Sequence, residues 1–301
     1  MNNLYTQKVE LLLKIIPIVA VEECFAIHGG TAINLFVKNL PRYSIDIDLT
    51  YIPLEERNTS IADINSRLLV IAEKIRKSFK GVNIIHRPDI CKLLCEYRGE
   101  QIKIEVNQTK RGIVGGRVVK MPLCEKAQEQ FGLFCEANIV PLSLLYGGKV
   151  SAALSRQHPR DMFDIKYMDL DFNSIKPGVI FCLLGSDRPI HESLFPNLID
   201  QRDAMMNQFV GMTDVAFDYS DFEETRKNLI KSVNDMLTEN DKSFLIAFES
   251  GEPKWDESEF KSFKNYPSVK WKQLNIQKLK ISNPTKLQDE VEKLKLVLHT
   301  N

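Results

Sequence analysis

The sequence predicts an α/β (α+β) protein: a small mixed sheet with flanking helices in residues 1–170, then a mainly helical C-terminal domain in residues 171–301. Three observations predict it. Segments with helical apolar spacing alternate with short apolar runs as far as Val106, a pattern that layers helices on a sheet. Two of the runs, Cys91 to Tyr97 and Gln101 to Val106, are joined through Arg98-Gly99-Glu100 as a hairpin. From Phe172 on, apolar clusters are punctuated by Pro177, Pro189, Pro196, Pro253, Pro267 and Pro284, which predicts several short helices.

Taken in order, Leu4 to Ile16 carries Val9, Leu12, Leu13 and Ile16 at helical spacing, and Pro17 is expected to break it. Cys24 to Ile27 reads as a short strand, and Thr31 to Val37 as a helix entered through Gly29-Gly30. Ser44 to Thr50 alternates as a strand should, with Ile45, Ile47 and Leu49 on one side and Asp46 and Asp48 on the other. Glu55 to Phe79 is a long amphipathic helix, and Val82 to Ile85 is a strand ahead of the hairpin. The aromatic residues Phe217, Tyr219, Phe244, Phe248, Trp255 and Trp271 are expected in the core of the C-terminal domain.

Composition narrows the function. Forty basic and forty acidic residues cancel, which argues against indiscriminate adhesion to nucleic acid or membrane; any RNA contact must come from a local patch. The stretch Leu11 to Val21 contains Lys14 and Pro17 and stops at Glu22-Glu23, too short and interrupted to span a bilayer. The six cysteines include no Cys-x2-Cys pair, so reduced thiols and a cytoplasmic location are expected.

Asp46 and Asp48 are the most informative residues. Two carboxylates on one face of a strand repel each other unless a cation lies between them, and hard oxygen donors suit Mg2+. The strand, Gly29-Gly30 turn and helix start ahead of them present backbone N–H groups and a positive dipole end to an anion such as a triphosphate. Alone, Gly-Gly is an ordinary strand-to-helix turn; together with the aspartates it reads as a phosphate and metal site.

These motifs resemble the DNA polymerase beta-like nucleotidyltransferases, whose signature is a Gly-Gly/Ser turn followed by Asp-x-Asp on the next strand. Within that superfamily, His28-Gly29-Gly30-Thr31-Ala32, Arg42-x-Ser44-x-Asp46-Ile47-Asp48-Leu49 and Lys149-x3-Ala153-x2-Arg156-x3-Arg160-Asp161-x2-Asp164 are similar to the AbiEii/AbiGii toxin family. The resemblance covers the first 170 residues and implies a fold of the nucleotidyltransferase type. It implies Asp46, Asp48 and Glu105 as metal ligands for two Mg2+ ions; Gly29, Gly30, Thr31 and Ser44, with Lys149, Arg156 and Arg160, would bind the nucleotide. Read without it, Glu105 equally fits a strand whose polar face meets water, and the 149–164 segment a salt-bridged surface helix interrupted at His158-Pro159. Asp161 and Asp164 both stand as catalytic candidates beside Lys149.

The implied activity is in-line attack at the α-phosphorus of a nucleoside triphosphate with loss of pyrophosphate. The family implies an RNA acceptor, above all a tRNA 3′ end, and a cognate antitoxin. Lys103, Lys110, Arg111, Arg117 and Lys120 form a basic stretch placed to grip a phosphate backbone, or a merely solvated loop. Two other readings share the metal core: nucleotidyl transfer to a protein hydroxyl or a small molecule such as an antibiotic, and a catalytically inactive nucleotide-binding regulatory module.

Overall fold

In the computed structural model, which describes residues 3–299, contacts sort the chain into two compact units. One runs to Pro141 and takes in Met206–Ala216; the other comprises Leu142–Met205 and the chain from Phe217 on.

The first unit is built on a seven-stranded mixed sheet of order β3-β4-β5-β2-β1-β7-β6. Its strands are β1 (Phe25–His28), β2 (Asp46–Tyr51), β3 (Asn83–Arg87), β4 (Lys92–Tyr97), β5 (Glu100–Val106), β6 (Val119–Pro122) and β7 (Glu136–Ile139). β2 pairs antiparallel with β1 and parallel with β5, which places Asp-x-Asp mid-sheet. The β4–β5 hairpin closes through Arg98 and Gly99, both at positive φ (52° and 85°), as a two-residue turn matched to strand twist requires. Ile47, Leu49, Leu93, Cys95, Ile102, Ile104 and Val106 are buried, and helices α1 (Asn3–Ala20) and α3 (Arg57–Ser78) pack on the sheet. On α3 the buried residues Ile64, Leu68, Ile71, Ala72 and Ile75 recur at helical spacing, which is what dictates the helix and its orientation.

Pro17 does not break α1. It lies on the exposed side, where water can serve the carbonyl it leaves without a donor, while Leu12, Leu13, Ile15, Ile16 and Val19 on the other side are buried. The sequence reading also lacks β6, β7 and the helix between them, α4 (Glu125–Phe131). Each strand has only four residues, and β7 is held by parallel pairing with β1 at Ile27 and Ile139, a contact between segments far apart in the chain.

The second unit is helical: α5 (Leu142–Arg156), α6 (Pro159–Lys166), α7 (Phe172–Leu184), α8 (Ile190–Leu194), α9 (Arg202–Ala204), α10 (Tyr219–Asp235), α11 (Glu239–Glu249), α12 (Pro267–Ser282) and α13 (Pro284–His299). Capping boxes at Asp218/Asp221 and Thr238/Asp241 start α10 and α11, and prolines occupy the first turns of α12 and α13. α5 crosses α7 where Gly147 meets Gly178; a Cβ on Gly178 would lie 1.9 Å from the Ser143 carbonyl oxygen. This crossing binds α5 to the helices, whereas a division at 170 would leave α5 and α6 with the sheet. Phe244 and Phe248 pack with Trp255 as expected of core aromatics. Trp271 does not: it is half exposed, with the Lys278 ammonium over its ring.

Candidate active site

The glycine turn and the aspartate strand meet as expected in the first unit. His28 ends β1, and α2 (Gly29–Ala32) begins at once and widens into a π turn over Ile33–Val37. Gly29 has φ +68°, and a Cβ there would lie 2.4 Å from Asp48 Oδ2, so the Asp48 carboxylate lies directly over the turn. A Cβ on Gly30 would meet the Arg42 guanidinium at 2.9 Å and Ser44 Oγ at 3.0 Å. Gly29 is favoured by its left-handed backbone and by the close approach of Asp48, while a Cβ at Gly30 would press on the ends of two side chains. The N–H groups of Gly29, Gly30 and Thr31 lie in the first helical turn, where no intrahelical acceptor exists.

The hydroxyls of Thr31 and Ser44, both buried, meet each other at the start of the turn. Thr31 is fully buried; its Oγ1 donates to the Asp46 carbonyl oxygen and accepts from the Ser44 hydroxyl, which ties the helix start to the start of β2. Arg42 is buried as well and donates to its neighbour's carbonyl at Tyr43. His28 meets the Thr50 hydroxyl through Nδ1 at 3.1 Å.

Register explains the rest of this face. His28 on β1, Asp48 on β2, Glu105 on β5 and Lys92 on β4 occupy one row across four strands, and Lys103 stands opposite Asp46 in the next. Glu105 is thus beside Asp48, as expected of a third carboxylate, but its Oε2 is held by the Lys92 ammonium at 2.7 Å. Among the described residues no three His, Cys, Asp or Glu side chains converge closely enough to hold an ion. Asp46 and Asp48, with oxygen donors on one solvent-facing side, nevertheless fit Mg2+, which commonly takes one or two carboxylates and completes its shell with substrate phosphates and water. Lys92 is the residue sequence reasoning missed; an alternating lysine on a hairpin strand carries no signal until register sets it opposite Glu105.

The basic stretch is only partly available. Arg111 is 2% exposed and its guanidinium donates to the Glu55 carbonyl oxygen, so it cannot grip a phosphate backbone. The cause is local: the Asn107 side chain accepts from the Thr109 and Lys110 N–H groups, and Gly112 N–H bonds to the Tyr51 carbonyl oxygen, folding the segment back on β2. Lys103, Arg117 and Lys120 are exposed, Lys110 is half-buried, and Lys120 faces Glu136 at 3.9 Å.

The Lys149 cluster lies in the second unit. Gln157 turns the chain at φ +50°, His158 caps α6 through its side chain, and Pro159 opens the helix, so α5 and α6 are two helices meeting at a corner. Lys149, 6% exposed, reaches Asp161 at 3.0 Å and Asp164 at 2.8 Å. Arg156 adds a two-pronged contact to Asp161. Burial alone would raise the Asp161 carboxyl, but Lys149 and Arg156 outweigh it and hold the group well below the usual carboxylate range. Arg160 is half-buried at the start of α6.

A mixed sheet carrying two aspartates beside a glycine turn is the arrangement expected of the nucleotidyltransferase type. The family model "Nucleotidyl transferase AbiEii toxin, Type IV TA system" matches residues 10–266, and the chain belongs to that family of toxin–antitoxin enzymes. The fold is similar to that of MenT4, a nucleotidyltransferase toxin from Mycobacterium tuberculosis H37Rv, with TM-score 0.61 over 90% of this chain and 92% of that one, at 11% sequence identity. No curated protein matches the sequence. All six cysteines are free thiols, and among the described residues no helix is long and apolar enough to cross a membrane.

Proposed function

We infer that this toxin transfers a nucleotide from a nucleoside triphosphate to an RNA acceptor, a tRNA 3′ end above all, and that Asp46 and Asp48 carry the reaction. The observation that supports it most is the Asp48 carboxylate lying over the Gly29–Gly30 turn, which puts an oxygen donor for a cation beside amides suited to phosphate. In this reading the Gly29 and Gly30 amides hold the terminal phosphates and Asp46 and Asp48 hold Mg2+. The ion, when bound, polarises the phosphate oxygens. The acceptor hydroxyl attacks the α-phosphorus, the new oxygen–phosphorus bond forms as the bond to the bridging oxygen breaks, pyrophosphate leaves with the electron pair, and the hydroxyl proton passes to solvent. Within the helical unit, Lys149 is held by Asp161 and Asp164, and Asp161 also binds Arg156. Lys103, Arg117 and Lys120 attract the RNA backbone.

Incubation with each α-labelled ribonucleoside triphosphate, total RNA and Mg2+ tests this. Label in tRNA is the expected result. Label in protein or in a small molecule would move the acceptor to the corresponding class, and nucleotide binding without transfer by the wild-type chain would leave a regulatory module. Asp46→Asn and Asp48→Asn should each lower transfer by roughly 10³-fold, the scale of losing a fixed electrostatic stabiliser. Full activity in both variants would refute the site.

A further inference from the structure

Glu105 is the carboxylate that the resemblance assigns to a second Mg2+, yet the structure gives it a different cation. Its Oε2 lies 2.7 Å from Lys92 Nζ, and the two residues are direct cross-strand partners on β4 and β5, with Asp48 next in the row. Glu105 is 47% exposed, but Lys92 is only 21% exposed, and the residue before it, Cys91, is buried with a left-handed backbone, φ +48°. An L residue is rarely found there unless its surroundings impose it. Here they do: Cys91 N–H bonds to the Pro88 carbonyl oxygen, the Cys91 carbonyl accepts from Val106 N–H, and Gln108 bonds to the Asp89 carbonyl oxygen. The kink starts β4 in the register that sets Lys92 opposite Glu105.

Resting on the metal site described above, we propose that Lys92 is a positioning residue whose ammonium takes the place of a second divalent ion at Glu105, so that the site binds one such ion, through Asp46 and Asp48. A single ion agrees with the absence of a three-ligand cluster among the described residues. A fixed monovalent charge already neutralises Glu105, and a divalent ion seeking that carboxylate would have to displace the ammonium and approach its like charge.

The test counts ions rather than turnover. Mn2+ bound per chain is measured by electron paramagnetic resonance in the presence of saturating α,β-methylene ribonucleoside triphosphate, for wild type, Lys92→Met, Lys92→Arg and Asp48→Asn, each checked for folding by circular dichroism. One Mn2+ is expected in wild type and Lys92→Arg, and two in Lys92→Met, where Glu105 is released. Two ions in wild type, or one in a folded Lys92→Met, would overturn the inference and leave the Asp46/Asp48 site standing. Should Lys92→Met not fold, Lys92→Gln is measured instead under the same two criteria. Mn2+ binding unaffected by Asp48→Asn would instead refute the site itself.

Discussion

Each unit carries a pair of aspartates, and the two pairs are used in opposite ways. Asp46 and Asp48 stand one residue apart on a strand and face solvent beside a glycine turn. Asp161 and Asp164 stand one helical turn apart, are buried, and share Lys149, with Arg156 closing on Asp161. The period of the element decides this. A strand places its carboxylates side by side on the polar face of a sheet, while a helix stacks them against whatever packs on that side. Carboxylates open to solvent can recruit a cation from outside; buried ones must have theirs built in, because an unpaired charge there is very costly.

The sharpest way to break the comparison is to neutralise one member of each pair. Asp48→Asn should abolish transfer on the 10³-fold scale given above while leaving the melting temperature close to wild type. Lys149→Met should do the reverse to the fold: it strands Asp161 and Asp164 in the interior, and the loss of stability should be about 3–5 kcal/mol, read by chemical denaturation. A Lys149→Met chain as stable as wild type would show that the cluster is not the internally balanced charge set described here.

A smaller effect separates the basic residues. Arg117→Ala should weaken RNA binding and reduce its salt dependence by about one unit of slope, as expected for one lost phosphate contact. Arg111→Ala should leave RNA affinity and its salt slope where they were, since that guanidinium is buried against Glu55. Equal losses in both variants, measured by titration at several salt concentrations, would place Arg111 at the RNA after all.

The smallest effect is in pH dependence, and it sharpens the contrast between two buried carboxyls. Asp161 is held low by Lys149 and Arg156, so its contribution to stability is complete above the ordinary carboxylate range and is lost as pH falls through the folded value. The stability difference between wild type and Asp161→Asn should therefore be constant above about pH 5 and shrink below about pH 4. Glu249 on α11 is the opposite case: burial raises it, and its cation, Lys272, stands off at 3.7 Å. A raised carboxyl favours the fold while protonated and loses that contribution as pH rises through the folded value. Glu249→Gln should accordingly gain stability relative to wild type as pH is raised toward neutrality, and a flat difference would contradict the burial argument.

How much of this was legible beforehand follows from how local each feature is. The glycine turn, Asp-x-Asp and the basic-Asp-x2-Asp helix could be read directly, because period and spacing within a few residues define them. Strands β6 and β7 could not, since neither holds a continuous apolar run such as Cys24 to Ile27 and β7 is held by pairing with the distant β1. Arg111 looked like a surface cation, because nothing near it in sequence announces that Asn107 and Gly112 fold its segment onto β2. Pro17 predicts a stop, yet its place on the outer side of α1 lets the helix continue.

Sequence alone determined where the paired aspartates and the glycine turn lie, since both are encoded in two short segments whose local geometry follows from strand and helix periods. Tertiary structure decided how the other groups are placed. Cross-strand register places Lys92 on Glu105, and burial withdraws Thr31 and Arg111 from outside contact while pairing Lys149 with two aspartates. Those outcomes depend on segments far apart in the chain, and a contact between strands or helices leaves no mark in the spacing of either one.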